Sequence, residues 1–314
     1  MMLRRLSASY GSGVNGLLIV DKPAGMTSHD VVARVRRATG EQSVGHLGTL
    51  DPMATGVLPL LLGKYTRLAQ FYGTSVKAYT GTIRFGFATD TYDAEGHPAG
   101  EACTVVLDLN AVRAETVPFL GGSEQMPPPF SAKKIEGKPA YKLARAGKTP
   151  ELKPVKITVD AFTIEGVEGD TARFAMRISA GGYVRAIAHA MGQALGCGAH
   201  LKTLRRTAAG PFTLEQAVPL DEVERLGAAG RLEERMPHPR TLLPEMPSVT
   251  ADEATVGRIR NGMQVNLPEY SGAALVKIFE GQRELVAVGR RVAGTLFQPF
   301  VVVLGARADP ASGE

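Results

Sequence analysis

The chain has 314 residues, 44% hydrophobic and 21% charged, a globular composition that excludes a disordered or fibrous protein. Its length suggests about two domains. Its two cysteines, Cys103 and Cys197, form no CxxC pair, which excludes a disulfide scaffold or a thiolate zinc site and points to a reduced, cytoplasmic setting. No apolar run approaches the roughly 18 residues of a membrane span. The net charge of +5 is uneven: residues 131–156 hold eight Lys and Arg against two acids. This Pro- and Gly-punctuated stretch with Tyr141 suits a loop or hairpin that touches a polyanion, although a solvated lysine face has the same composition.

The first thirteen residues are basic, lack the apolar region of a secretory signal, and read as a frayed tail. Residues 16–20 form a short apolar run that stops at Asp21-Lys22-Pro23, the pattern of a strand entering a loop. Thr27 or Ser28 can cap a following helix, with Asp30 favourable in its first turn, Val31, Val32 and Val35 as its apolar stripe, and Gly40 as its stop. Residues 43–66 are glycine-punctuated around a charged centre. Residues 77–87 alternate, with Tyr79, Gly81, Ile83 and Phe85 on one face, and Ala172, Phe174, Met176 and Ile178 alternate in a second half-buried strand. After Gly181-Gly182, Val184, Ile187, Ala188, Met191 and Leu195 fall at helical spacing, stopped by Gly196. Residues 215–235 read as partly helical, Pro237, Pro239, Pro244 and Pro247 as a linker, and 251–261 as a short helix. Residues 265–304 read as short strands, enough for a small β-barrel.

The segment GHLGTLDPMATG, residues 45–56, is the most informative. It sets His46 and Asp51 five residues apart on backbone that glycine frees and Pro52 stiffens. Taken alone, an Asp before Pro is most often a turn residue, and a loop His is most often structural.

The segment closely resembles the catalytic motif of the TruB family of pseudouridine synthases. GLLIVDKPAGMTSHDVV, KAYTGTIRFGFATDTYDAEG, PPPFSAKKIEGKPAYKLARAG and SAGGYVRAIAHAMGQALGCGAHLKTLRRTAAGPF resemble that family's further motifs, in its order. The last sixty residues resemble a PUA domain. Departures are small: Val44 stands where the family usually has Arg or Lys, Gly182 where it often has Thr or Ser, and Val184 where it often has Ile.

The resemblance implies an α+β pseudouridine synthase fold with a mixed, mostly antiparallel sheet, plus a small C-terminal β-barrel of PUA type. It implies a catalytic domain over 14–243, an RNA-clasping insertion at 124–156, a PUA-like domain over 247–305 and a tail over 306–314. The implied reaction isomerises uridine 55 in the TΨC arm of tRNA, with no cofactor and no metal. Isomerisation is redox-neutral, which agrees with a sequence that has no dinucleotide fingerprint and no ligand cluster. The implied partner is the TΨC stem-loop, with no membrane, no obligate protein partner, and a monomeric enzyme.

Asp51 occupies the family's nucleophile position, and an ionised carboxylate suits either attack or support of a cationic sugar. Attack at C1′, addition at C6 and elimination to a glycal all accommodate one Asp. Arg185 matches the arginine that pairs with it and holds it ionised in a dry pocket. Tyr79 matches the active-site tyrosine, stacking on the base with its hydroxyl near C5; its position on the strand alone favours core packing. His46 matches a residue that helps hold the flipped-out nucleotide. Lys22 and Pro23 match the first motif and shape the pocket. Leu204 and Tyr183 line the base pocket. Lys133, Lys134, Arg205 and Arg206 are candidate RNA contacts. An RNA-folding protein needs no Asp51–Tyr79–Arg185 trio, and a nucleosidase-like hydrolase would want a second acid within 45–56, where there is none.

Overall fold

A computed structural model describes residues 13–130, 134–135, 138–139 and 152–303. Strand β1, Gly16–Lys22, is apolar on both sides because both of its faces are covered. Leu18 and Val20 join one buried cluster, and Leu17 and Ile19 join another on the opposite face. The chain then turns into helix α1, Ser28–Thr39. Thr27 and Asp30 cap α1 reciprocally: the Thr27 side chain accepts from the Asp30 amide, and the Asp30 carboxylate accepts from the Thr27 amide. Gly40, at φ 73°, ends it in the left-handed region.

Strands β2, Val44–His46, and β3, Thr55–Leu62, pair antiparallel and bracket the Asp51 loop. Strand β4 is Lys77–Phe85, helix α2 Leu109–Ala114 and strand β5 Gly121–Gln125. Next come β6, Val155–Glu168, β7, Thr171–Ile178, helix α3, Val184–Ala194, and β8, Ala199–Ala209. Strands β9, Phe212–Thr213, and β10, Val218–Pro219, and helix α4, Leu220–Ala228, complete the larger, N-terminal half.

The ten strands form one sheet in the order β10-β1-β3-β8-β4-β7-β6-β5, with β2 added to β3 and β9 to β8. Its ladders are antiparallel except β1/β10 and β3/β8, so the sheet is mixed and mostly antiparallel, as expected. Apolar residues of α1, α3 and α4 pack on one face in a single cluster. Where β3 and β8 run parallel, Gly56 lies opposite Arg206. Its φ is 101°, and a Cβ there would sit 2.2 Å from the Arg206 carbonyl oxygen, so only glycine lets the two strands close.

The C-terminal unit comprises β11, Ser248–Ala251, helix α5, Glu253–Arg260, β12, Val265–Asn266, β13, Leu275–Glu280, β14, Glu284–Ala293, and β15, Leu296–Val302. The strand order is β11-β13-β14-β15-β12. No ladder joins β11 to β12 among the described residues, so the expected barrel is a half-barrel. The unit packs on the reverse face of β1 and β3, where Leu17, Ile19, Val57 and Leu61 meet Phe279, Leu285, Val288 and Val301.

The proline-marked linker is not a free tether: Leu242, Leu243 and Met246 are buried in that junction. The partly helical stretch at 215–235 resolves into α4 with short 3₁₀ turns before and after it. No helix among the described residues is long and apolar enough to cross a membrane. The expected clasp, with Lys133 and the Lys134 side chain, lies largely outside the described residues, as do the tails at 1–12 and 304–314.

Candidate active site

The loop between β2 and β3 is held from beneath by its own carbonyls. Because Thr27 caps α1, Ser28 is left to serve the loop: its hydroxyl accepts from the Leu50 amide at 2.9 Å and lies 3.2 Å from the Leu50 carbonyl. Lys22 is wholly buried, and its ammonium donates to the carbonyls of Ala54 at 2.7 Å, Pro23 at 2.8 Å and Pro52 at 3.1 Å. The Gly25 amide adds a second donor to Pro52. Arg206, also wholly buried, donates to Val57 at 2.7 Å, Gly48 at 3.0 Å and Thr49 at 3.4 Å. Asp51 opens a tight turn closed by the Ala54 amide on its carbonyl. Its side chain is thereby released from turn-forming work and aimed elsewhere.

It is aimed at Arg185. Arg185 Nη2 donates to Asp51 Oδ1 at 3.0 Å, and Nε sits 2.9 Å from Oδ2 as an ion-pair contact. Arg185 is only 4% exposed, although it stands in the first turn of α3. Its Nη1 donates to the Thr91 carbonyl at 2.9 Å and lies 3.3 Å from Asp93 Oδ2; its Nη2 also donates to the Phe130 carbonyl at 2.9 Å. One buried guanidinium therefore serves two carboxylates and two carbonyls, so the two acids share a single cation.

The start of α3 is fixed from β5. The Gln125 side chain accepts from the Tyr183 amide at 2.8 Å and donates to the Tyr183 carbonyl at 3.0 Å. Asp93 is fixed by its own neighbours: its Oδ1 accepts from the Thr91 hydroxyl at 2.6 Å and the Glu95 amide at 3.1 Å, leaving Oδ2 for Arg185. Asp93, Thr91 and Gln125 escaped sequence reasoning. Asp93 lay within the TYDAEG motif without being singled out, whereas nothing in the sequence marks Gln125.

The charges set the titration. Burial pushes the Asp51 carboxyl above the ordinary carboxylate value, Arg185 opposes this, and Asp93 reinforces it. Arg185 thus opposes the desolvation of Asp51, as the resemblance implies, and does not cancel it. Burial brings Lys22 down to about 8, against the pull of Asp51. Burial also lowers His46, helped by His29 and Arg206, which favours a neutral imidazole. The His46 ring meets His29 edge to face at 5.6 Å, and its Nδ1 is buried without a partner.

Tyr79 and Leu204, each 7% exposed, sit on the helix-covered face of β4 and β8. Tyr79 is paired in register with Arg206, and Leu204 with Gly81, beneath the loop that Arg206 holds. Tyr183, half-buried, precedes α3. Lys22, expected to shape the pocket, and Arg206, a candidate RNA contact, are both fully buried with carbonyls on their donors, so both brace the loop. Arg205 points to the other face and keeps a partly exposed guanidinium, paired with Asp21 at 2.7 and 3.1 Å. It lines a cleft of about 370 Å³ with Thr55, Arg34 and Asp221, and Asp51 is not part of that cleft.

The family model described as TruB family pseudouridylate synthase (N terminal domain) matches residues 36–184. That of the tRNA pseudouridylate synthase B C-terminal domain matches 185–244. A tRNA pseudouridine synthase B from Solibacter usitatus (strain Ellin6076) is 46% identical over 293 residues, covering 92% of this chain and all of the relative. The chain belongs to the TruB family of pseudouridylate synthases. As such it is an isomerase. The tRNA pseudouridine synthase B of Aquifex aeolicus (strain VF5) is 40% identical, with 90% of this chain and 98% of the relative covered. Among solved structures, a Cbf5-Nop10-Gar1 complex matches with a TM-score of 0.66 and 25% identity, covering 92% of this chain and 85% of that one. An archaeal box H/ACA sRNP Nop10-Cbf5 complex matches at 0.64 and 26%, covering 93% and 86%. The boundary between the two TruB models falls within α3, one residue before Arg185, and both segments contribute strands to one sheet. They are thus one folding unit.

Proposed function

We propose that this TruB-family enzyme converts uridine 55 in the TΨC arm of tRNA to pseudouridine, with Asp51 as the catalytic carboxylate and no cofactor. The observation that carries the reading is the two-point Asp51–Arg185 pair, set in a chain 46% identical to a tRNA pseudouridine synthase B. The reaction breaks the bond from ribose C1′ to N1 and joins C1′ to C5; a proton leaves C5 and N1 takes one up. Atoms and electrons balance within the nucleoside. The enzyme needs one anion facing the sugar, a base-stacking ring and a proton acceptor. Asp51 supplies the first and Tyr79 the other two. The uridine reaches Asp51 only after extrusion from its arm, at a cost of a few kcal/mol. His46 and Leu204 border the space it enters, and Tyr183 contributes beside Arg185.

The C-terminal half-barrel, over 247–305, is proposed as a PUA-type RNA-binding unit beside the catalytic domain at 14–243. Residues 124–156, with Lys133 and Lys134, are proposed as the clasp that holds the RNA backbone. The test is pseudouridine mapping on tRNA transcripts with wild type and Asp51→Asn. Modification at position 55 by wild type only, with RNA binding kept in the variant, is expected. Turnover by the amide, which is nearly isosteric but neither charged nor nucleophilic, overturns the assignment.

A further inference from the structure

The loop that feeds Arg185 carries a backbone outlier. Tyr92 has φ 65°, and it and Leu243 are the two non-glycine residues with positive φ among the described residues. An aromatic residue enters that region only where its surroundings hold it there. Tyr92 lies between the two groups that grip Arg185: Thr91, whose carbonyl accepts from Nη1, and Asp93, whose carboxylate pairs with it. Its ring lies flat on the His189 ring, with centroids 3.8 Å apart and planes inclined by 12°. His189 is on α3, one turn beyond Arg185. The Nδ1 atom of His189 is buried without a hydrogen-bond partner. The Tyr92 carbonyl accepts from the Leu201 amide and the Ala94 amide donates to the Leu201 carbonyl, so β8 holds the loop's backbone while the stack ties it to α3.

We propose that the Tyr92–His189 stack is a positioning latch: it sets the distance between the Thr91–Asp93 loop and α3, and thereby the orientation of Arg185 toward Asp51. The proposal rests on the reading of Asp51 above. Its physical content is that the ring contact selects the positive-φ conformation. In that conformation the Thr91 carbonyl and the Asp93 carboxylate both face the guanidinium. Without the stack, the loop keeps its β8 hydrogen bonds and relaxes its φ, so the fold survives and the Arg185 grip loosens. Misplacement by about 1 Å costs on the order of a hundredfold in rate.

Two pairs of variants separate the stack from its parts. Tyr92→Gly removes both the ring and the strain, and His189→Ala removes the other ring. Tyr92→Phe and His189→Phe keep a ring in place. The readouts are single-turnover release of tritium from uridine labelled at C5, tRNA affinity by filter binding, and a thermal melt of each variant. Tyr92→Gly and His189→Ala are expected to react roughly 10- to 100-fold more slowly, with tRNA affinity within about twofold of wild type. Both Phe variants are expected to stay within about threefold of the wild-type rate. The double variant Tyr92→Gly/His189→Ala is expected to be no slower than the slower single, since one contact is lost either way. A wild-type rate in His189→Ala, a His189→Phe variant as slow as His189→Ala, or additive effects in the double variant overturns the latch. Asp51→Asn, run alongside, tells the two readings apart. If it turns over, the assignment of Asp51 falls. If it is inactive while the latch variants react normally, only the latch falls.

Discussion

Two buried lysines, one in each half of the molecule, do the same physical work with different consequences. Lys22 beneath the Asp51 loop and Lys277 in the C-terminal half-barrel are 0% and 1% exposed, and each gives its ammonium protons to loop carbonyls. Lys277 donates to Leu242 at 2.6 Å and Arg240 at 2.8 Å, which fastens the linker onto β13. Lys22 donates to three carbonyls around Asp51. Burial lowers both ammonium groups, and the acid that most opposes this is Asp51 for Lys22 and Glu245 for Lys277. A buried cation holding carbonyls is thus a general fastener for irregular backbone. Beside Asp51 it fixes the carboxylate proposed above as catalytic, and in the linker it fixes only the seat of a domain.

The sharpest break in that comparison comes from the acid that shares Arg185. Asp93→Asn removes one of two carboxylates from a buried guanidinium and leaves the Asp51 pair intact. The single-turnover rate is expected to fall by about 10²-fold, because Arg185 loses one of the contacts that orient it. The pH profile supplies the sign. In the role proposed above Asp51 acts ionised; its carboxyl is raised, and Asp93 is among the groups raising it. Activity of wild type therefore fades on acidification at a higher pH than for an ordinary aspartate, and the acid limb of Asp93→Asn is expected to lie lower. A limb that stays in place would mean that Asp93 does not sense Asp51.

The two lysine variants come next. Lys22→Met takes this donor from the Ala54 and Pro23 carbonyls and leaves Pro52 with the Gly25 amide alone. It is expected to lower stability by several kcal/mol, at about 1–3 per unsatisfied group, and to slow turnover as the loop loosens. Lys277→Met is expected to cost about 2–4 kcal/mol and leave the single-turnover rate unchanged. Chemical denaturation and single-turnover rates measured on both proteins check the pair; equal rate losses would erase the distinction. Lys22 adds a pH signature. Its folded value near 8 lies below the ordinary 10.5, so between those values the unfolded chain binds the extra proton. Stability attributable to Lys22 therefore rises with pH across that window, by roughly 3 kcal/mol relative to Lys22→Met.

How much of this the sequence made legible depends on the range of the interactions. The start and stop of α1 are local: a cap, an apolar stripe and a glycine, all of which the structure keeps. The alternation of β4 and β7 also survived, because one face of each strand is buried. Asp51 and Arg185 were found through resemblance, since the pair spans 134 positions and no spacing rule joins them. Asp93 and Gln125 were missed for the same reason. Their contacts to Arg185 and Tyr183 arise only when the sheet brings β5 and the loop after β4 against α3. Whether the expected C-terminal β-barrel closes was not legible, because closure depends on a ladder between distant strands, which hydrophobic alternation does not encode.

The adjacent arginines 205 and 206 carry the smallest and most discriminating effect. In sequence they are equivalent candidates for a phosphate. In the strand they alternate. Arg206 turns inward to the loop carbonyls, and Arg205 turns to the opposite face, where its side chain is 40% exposed and pairs with Asp21. An exposed pair of this kind contributes about 0–1 kcal/mol to stability. Arg205→Gln is therefore expected to leave the melting curve nearly unchanged, while Arg206→Gln should lower it visibly, since three carbonyls lose a buried donor. RNA binding then decides whether Arg205 meets the substrate. If it contacts a phosphate, the slope of log affinity against log salt falls by about one unit in Arg205→Gln, with a uniform weakening across tRNA sequences. An unchanged slope means that the cleft beside Thr55 lies off the RNA path and that Arg205 serves only its pair with Asp21. In that case the two arginines differ in burial but are alike in having no contact with RNA.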